Sequence, residues 1–462
     1  MESHKFKQSV LKPYDIRGLA EKEINEIDAY FVGKSYGTYL HKLNKKNCIV
    51  GYDGRLTSES YAKEVIKGLL ETGIDVFNIG LVATPMLYFS IQHYKKDAGL
   101  MVTASHNPPE YNGFKMLTNE APVWDKEIQE LGRISEKGEF IEGKGKLEEL
   151  KVKEDYINFI LNSFNKNNKK TLNVCFDAGN GATAVVLNEI VSKLPGKHKV
   201  LFGEVDGRFP NHNADPSILK NMETLQKEVV NGHFDFGVAY DGDGDRIGVV
   251  DEFGNIYYGD QLLCVFARNY LKKHPHEKIL FEVSSSQVLP DDIKKHGGDY
   301  VICAPGHSIL KAIMKKQKIG LGGETSGHMF FGEHHNYDDA IYATVKLINI
   351  LANSDETLGS IRKAFPTYYS TPKIGIKCTD EEKLIVPQQI AERIKKQGRK
   401  VIDVAGARVE KADGWWLVRD SSTEPKMTVR CEALSEKGLE ECKNEIREQL
   451  KLSGFDIDFS KQ

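Results

Sequence analysis

The chain has 462 residues, and its 63 Lys plus Arg against 66 Asp plus Glu leave a formal net charge of −3. With 40% hydrophobic and 28% charged residues it has the composition of a globular protein rather than a disordered one, and its length predicts several domains. The near-neutral balance offers no global attraction to nucleic acid or an anionic membrane, and no stretch approaches the roughly 20 apolar residues of a membrane span.

Seven cysteines lie at 48, 175, 264, 303, 378, 431 and 442. Their number is odd and none has CxxC spacing, which argues for buried thiols rather than disulfides or a zinc site. The opening segment MESHKFKQSVLKPYDIRG has no apolar core of signal-peptide length, so a cytoplasmic location is expected.

The first segments alternate in type. CIVGYD (48–53) reads as a buried strand, 58–72 as a helix, IDVFNIG (74–80) as a strand, 86–94 as a helix and AGLMVTAS (98–105) as a strand. After a Lys- and Glu-rich stretch at 136–154 the pattern restarts. Strands are expected at 173–179, 199–205 and 235–241, then a hairpin at 250–259 turning at Gly254-Asn255. A third round offers strands at 278–283, 299–305 and 319–324 and a helix from Asp338 to Ala352. The last quarter differs. Strands at 374–378, 400–405, 415–421 and 427–433, with helices at 381–396 and 436–452, predict an antiparallel sheet with helices on one face. The expected domains are 1–151, 152–254, 255–366 and 367–462: three similar mixed α/β domains and an α+β domain.

Four constellations carry chemistry. Thr103-Ala104-Ser105-His106-Asn107-Pro108 follows an apolar strand, placing Ser105 in a loop at a strand's carboxyl end, where open α/β sheets bind ligands. A serine there needs an activating neighbour such as a His or a metal. The plain alternative is a turn held by local hydrogen bonds. Asp241-Gly242-Asp243-Gly244-Asp245-Arg246 sets three carboxylates at alternating positions, spaced by glycines, so they can converge on one hard cation. An EF-hand loop needs glycine where Arg246 stands, and the flanking residues read as strands rather than helices. Arg246 adds a fixed positive charge suited to phosphate. In Gly322-Gly323-Glu324-Thr325-Ser326-Gly327-His328, a carboxylate and a hydroxyl side by side suit the vicinal hydroxyls of a sugar. Arg419-Asp420-Ser421-Ser422-Thr423-Glu424-Pro425 reads as a phosphate cradle or a surface turn. Tyr14-Asp15-Ile16-Arg17-Gly18, read as a loop, and Gly306-His307-Ser308 after a strand carry further polar side chains.

These blocks, in the order YDIRG, TASHNP, GFK, DGDGDR, GHS, GETSGH, RDSSTEP, resemble the α-D-phosphohexomutase superfamily, most closely its bacterial phosphomannomutase/phosphoglucomutase branch, over essentially the whole chain. The resemblance implies four domains around a central cleft, each supplying one loop. It implies that Ser105 is a phosphoserine that gives and receives the phosphoryl group. Asp241, Asp243, Asp245 and the Ser105 phosphate would hold one Mg2+ per chain. His106, Asn107, Lys115 and Arg246 would line the reactive end. Glu324 and Ser326 would read the sugar hydroxyls, and Arg419, Ser421, Ser422 and Thr423 would hold the idle phosphate. Tyr14, Arg17, His307 and His328 would complete the substrate contacts, with Lys115 and His307 as the acid/base candidates.

The activity so implied is the interconversion of hexose 1-phosphate and hexose 6-phosphate, of mannose or glucose, through a hexose 1,6-bisphosphate that also activates the enzyme. Its partners would be small hexose phosphates, without nucleic acid or membrane, in a monomer or weak homo-oligomer. Phosphoglucosamine mutase, a metal-dependent phosphatase and a non-catalytic sugar-phosphate binding protein are the alternatives. Three positions depart from the branch: Thr325 where Met is common, Ser422 where Asn or Gly is common, and Ser284 where a substrate-contacting Lys is common. These bear on sugar preference.

Overall fold

The structure is a computed structural model and describes residues 2–421 and 425–459. The chain falls into two compact units, Met1–Gly259 with Ser326–Gly359, and Asp260–Thr325 with Ser360–Gln462. The third expected segment, 255–366, is therefore shared between them.

The first unit holds two sheets. In the first, the strands run in the order Ile16–Leu19, Tyr111–Thr118, Ala98–Val102, Asn47–Tyr52, Asp75–Leu81, Leu147–Glu149. Parallel pairing links the last four, and antiparallel pairing the first three. The two central parallel strands, Asn47–Tyr52 and Ala98–Val102, are largely buried apolar runs because helices must cover them. Val50, Val76, Leu100 and Val102 pack with Val32, Tyr36, Val65 and Leu69 from the helices Glu26–Lys42 and Ser58–Glu71. Those helices cross on glycine: a Cβ on Gly33 would stand 2.3 Å from the Val65 carbonyl oxygen, and one on Gly68 2.3 Å from that of Tyr30.

The second sheet runs Ile256–Tyr257, Ile247–Asp251, Phe236–Tyr240, Val174–Asp177, Lys199–Leu201. It repeats the strand order of the first sheet's middle, an antiparallel strand followed by three mutually parallel ones. The expected hairpin is present, with Gly254 at φ +84° in its turn. The helix Ala340–Ala352 packs on Lys153–Ser163: Tyr156 donates to Asp339 at 3.0 Å, the Phe159 and Tyr342 rings stack at 5.8 Å, and Asn349 donates to the Ser163 carbonyl at 2.8 Å.

In the second unit the strands Leu321–Gly323, Lys278–Glu282 and Asp299–Cys303 pair in parallel in the same order again. The C-terminal sheet is antiparallel throughout. Its helices, Asp380–Lys396 and Glu436–Lys451, start on side-chain caps from Thr379 and Ser435. They bury Ile390, Ile394, Cys442, Ile446 and Leu450 against Trp416, Val418 and Val429. Strand alternation sends Trp415 and Leu417 to the other face, against Val283. Buried Arg408 stacks 4.0 Å from the Trp415 ring and donates to the Val283 and Ser285 carbonyls at 2.8 and 2.7 Å. The chain thus combines three α/β repeats with an α+β domain.

Two local readings change, and His307 gains a placement. Ile16–Leu19 is an edge strand rather than a loop, because its register with Tyr111–Phe114 satisfies its backbone. His307 opens the helix His307–Gln317 after Gly306 at φ +138°. Six cysteines are buried thiols, while Cys378 is only half-buried.

Candidate active site

Ser105 sits just past the strand Ala98–Val102 with φ +51°, a conformation a non-glycine residue adopts only when its surroundings hold it. They do. Thr103 Oγ1 accepts from the Ser105 backbone N–H at 2.9 Å and donates to Asp53 at 2.7 Å. Buried Arg55 pairs with Asp53 at 3.2 Å. Its Nη2 donates to the carbonyls of Ser105 and Asn107 at 2.7 and 2.6 Å, and its Nη1 to those of Pro108 and Tyr111 at 2.6 and 3.0 Å. One guanidinium therefore ties four carbonyls of the loop. The acidic turn approaches this loop closely, since a Cβ on Gly242 would stand 2.5 Å from the Ser105 carbonyl oxygen.

The hydroxyl of Ser105 donates to Asp241 Oδ2 at 2.8 Å. His106 Nδ1 lies 3.3 Å from the same oxygen. Burial, reinforced by Arg246, Arg17 and Lys115, pushes the His106 pKa well below the usual histidine value, so its ring is neutral at pH 7.

Asp241, Asp243 and Asp245 are fully buried, and each has a carboxylate oxygen within 4.8 Å of those of the other two. Gly244, at φ +81°, bends the chain so that all three point inward. Asp241 Oδ1 accepts the backbone N–H groups of Gly244 and Arg246, both at 3.0 Å. Lys115 Nζ bridges Asp243 and Asp245 at 2.7 and 2.6 Å, and Thr84 donates to Asp243 at 2.6 Å. Burial and the neighbouring carboxylates raise the Asp241 pKa far above the carboxylate range. At Asp245 burial acts upward too, but Lys115 and Arg246 act against it and the group is held low. Among the described residues, Asp243 Oδ1 and Asp245 Oδ1 accept no hydrogen bond. Buried oxygens of this kind, on carboxylates held by strands rather than EF-hand helices, fit a hard divalent cation.

Arg246 Nε donates to His328 Nε2 at 2.8 Å, and His328 Nδ1 lies 2.9 Å from Asp338. A ring that accepts at Nε2 carries its proton on Nδ1, toward Asp338. Arg17 donates to Asn107 Oδ1 at 2.8 Å and pairs with Asp15. Tyr14 is half-buried just before that strand.

In the second unit Glu324 is buried and accepts from the Gly306 backbone at 2.7 Å, next to His307. Arg419 Nε donates to Ser284 Oγ at 3.3 Å, and the Ser421 N–H to the Lys426 carbonyl at 3.0 Å. Ser422 and Thr423 lie outside the described residues. Ser326 and His328 belong to the first unit, Glu324 and Thr325 to the second.

Family models match in chain order: phosphoglucomutase/phosphomannomutase alpha/beta/alpha domain I over residues 8–142, domain II over 154–254, domain III over 258–369 and the C-terminal domain over 374–449. A phosphomannomutase/phosphoglucomutase of Pseudomonas syringae pv. tomato is 36% identical over 451 residues, covering 97% of both chains. The chain belongs to the phosphoglucomutase/phosphomannomutase family. A phosphoglucomutase of Neisseria gonorrhoeae is 36% identical over 445 residues, 95% of this chain and 96% of its own. The crystal structure of a phosphoglucomutase/phosphomannomutase family protein from Burkholderia thailandensis superposes with a TM-score of 0.91 at 31% identity, covering 97% of this chain and 98% of that one.

As a member of the phosphoglucomutase/phosphomannomutase family the chain is an intramolecular phosphotransferase that interconverts sugar phosphates. Residues that motif reading misses in this family member are Asp53, Arg55, Thr84 and Asp338. GYDGR carries the first two in plain view, but only the fold shows that they grip the serine loop.

Proposed function

We propose that Ser105 carries the transferable phosphoryl group of a mutase acting on both glucose and mannose phosphates. The observation that supports this most directly is the Ser105 hydroxyl bonded to Asp241 of the buried carboxylate triad, with Lys115 bridging the other two carboxylates. The dual sugar range rests on the relatives that act on both.

Phosphoryl transfer depends on positioning and charge neutralisation. Asp241, Asp243 and Asp245 would hold Mg2+, which when bound draws negative charge from the phosphoryl oxygens. Lys115, kept charged by Asp243 and Asp245 although burial opposes it, and Arg246, oriented by His328, add fixed positive charge beside Ser105. The bond from Ser105 Oγ to phosphorus breaks as the sugar hydroxyl oxygen bonds to phosphorus, and the proton of the sugar hydroxyl ends on Ser105 Oγ, which regains the hydroxyl that donates to Asp241. The product is a hexose 1,6-bisphosphate. It turns end for end, and its other phosphoryl group returns to Ser105 Oγ. Glu324 and Ser326 read the sugar hydroxyls. Arg419, Ser421, Ser422 and Thr423 hold whichever phosphate is idle, Asn107 lines the reactive end beside Ser105, and Tyr14 and Arg17 are further substrate contacts. His307 is the acid/base candidate of the second unit.

Intact-mass measurement tests this reading. Incubation with glucose 1,6-bisphosphate adds one phosphate to the wild type and none to Ser105→Ala, which loses nearly all turnover. Full mutase activity in Ser105→Ala removes the proposal. Glucose, mannose and glucosamine phosphates assayed side by side rank the sugars.

A further inference from the structure

A cationic cluster in the second unit surrounds Ser284. Arg419 donates to its hydroxyl at 3.3 Å, and Arg430 to its carbonyl at 2.6 Å. Lys373 reaches the same cluster from a separate segment, its Nζ standing 3.8 Å from Glu282, the carboxylate that accepts from the Ser284 N–H. The nearest carboxylates are already engaged. Glu282 accepts from the Ser284 N–H and from Thr325 Oγ1 at 2.5 and 2.6 Å. Glu432 accepts from Ser286 and the Gln287 N–H at 2.8 and 2.9 Å.

Lys373 itself is only lightly committed. Its Nζ donates to Thr325 Oγ1 at 2.8 Å and lies 3.8 Å from Glu282, beyond hydrogen-bond distance. An ammonium has three N–H donors, and among the described residues one is taken, by Thr325. The side chain keeps 41% of its surface open. Thr325, its hydrogen-bonded partner among the described residues, separates Glu324 from Ser326.

We infer that Lys373 is a substrate-binding residue that donates to the non-reacting phosphate of the hexose phosphate, beside Arg419. This rests on the reading of Arg419 and its loop as the phosphate-holding segment. Three cations, Lys373, Arg419 and Arg430, face two carboxylates, Glu282 and Glu432, which leaves a net positive charge that draws a phosphate anion. Ser284, with its short hydroxyl, brings no positive charge of its own to the cluster. The charge arrives from another segment of the chain.

The test measures KM and kcat of the full chain for glucose 1-phosphate and glucose 6-phosphate, with inorganic phosphate as competitor. Lys373→Met should raise KM for both substrates and Ki for inorganic phosphate by about tenfold to a hundredfold, the loss of one charge-assisted contact, with a smaller change in kcat. Lys373→Arg should recover part of the loss. Lys373→Ser combined with Ser284→Lys, which restores the charge from inside the cluster, should recover it as well and controls for misfolding. Unchanged KM and Ki in Lys373→Met, or failure of both restoring variants to improve on it, overturns the inference. Wild-type kinetics in Arg419→Lys would instead defeat the phosphate-holding reading on which this rests, whatever Lys373 does.

Discussion

Arg55 Nη2 donates to the carbonyl oxygen of Ser105 at 2.7 Å, so a side chain from another loop holds the serine in its left-handed backbone conformation. The strain at Ser105 is sustained by that anchor and by the Asp53–Thr103 pair behind it.

Arg55→Ala leaves Asp53 buried without its cation and frees four carbonyls. It should destabilise the fold by about 3–5 kcal/mol, read as a lower Tm. Arg55→Lys keeps the charge but not the planar fork. It should fold and yet lose at least about tenfold in kcat through a misplaced Ser105. Wild-type kcat in Arg55→Lys would show that the anchor does not position the serine.

The carboxylate triad makes metal removal informative. Chelation should abolish turnover reversibly, and Mg2+ should raise the Tm of the chelated protein in a concentration-dependent way. Asp243→Asn should weaken both effects. A stripped sample that turns over normally would exclude the triad as a functional metal site.

Arg419→Lys should raise KM for both the 1-phosphate and the 6-phosphate, because each phosphate is idle in one direction of the reaction, and should release more bisphosphate into solution. Ser105 phosphorylation should persist. Unaltered kinetics in both directions would take the phosphate-holding role from this segment.

Glu282 supplies a pH signature. Burial acts to raise its pKa, but Lys373, Arg419 and the Thr325 and Ser284 donors lower it from 4.5 to about 2. A carboxyl depressed in the folded state stabilises the fold fully above its unfolded pKa, and that contribution disappears as pH falls from 4.5 toward 2. Between pH 6 and 3 the wild type should therefore lose more stability than Glu282→Gln. Parallel losses in urea unfolding at both pH values would contradict the assignment.

Apolar runs such as 98–105 and 235–241 locate central parallel strands, and the motif residues that close them do fall at strand ends, as Ser105 and Asp241 show, whereas the exposed parallel strand Leu147–Glu149 is hidden in the Lys- and Glu-rich stretch 136–154. The helix Glu26–Lys42 leaves a weak trace because its buried face includes Gly33, Ser35, Gly37 and Thr38, small residues chosen for close approach rather than hydrophobicity. Ile16–Leu19 is too short and too polar to announce itself as a strand. Arg55, Asp338 and Lys373 acquire their meaning from partners distant in sequence, as in the reach of Arg408 to Val283. Local spacing carries no information of that kind.

The allocation of Ser326–Gly359 to the first unit has a consequence for biosynthesis. Residues 1–259 emerge from the ribosome without the helix Ala340–Ala352 that covers Tyr156 and Phe159. The early part of the chain must therefore wait, with an apolar face uncovered, until a much later segment is translated. Such delayed, non-local closure is slow and exposes the nascent chain to aggregation. A fragment ending at Gly259 should accordingly bind hydrophobic dye and precipitate, and co-expression of the remainder should rescue it.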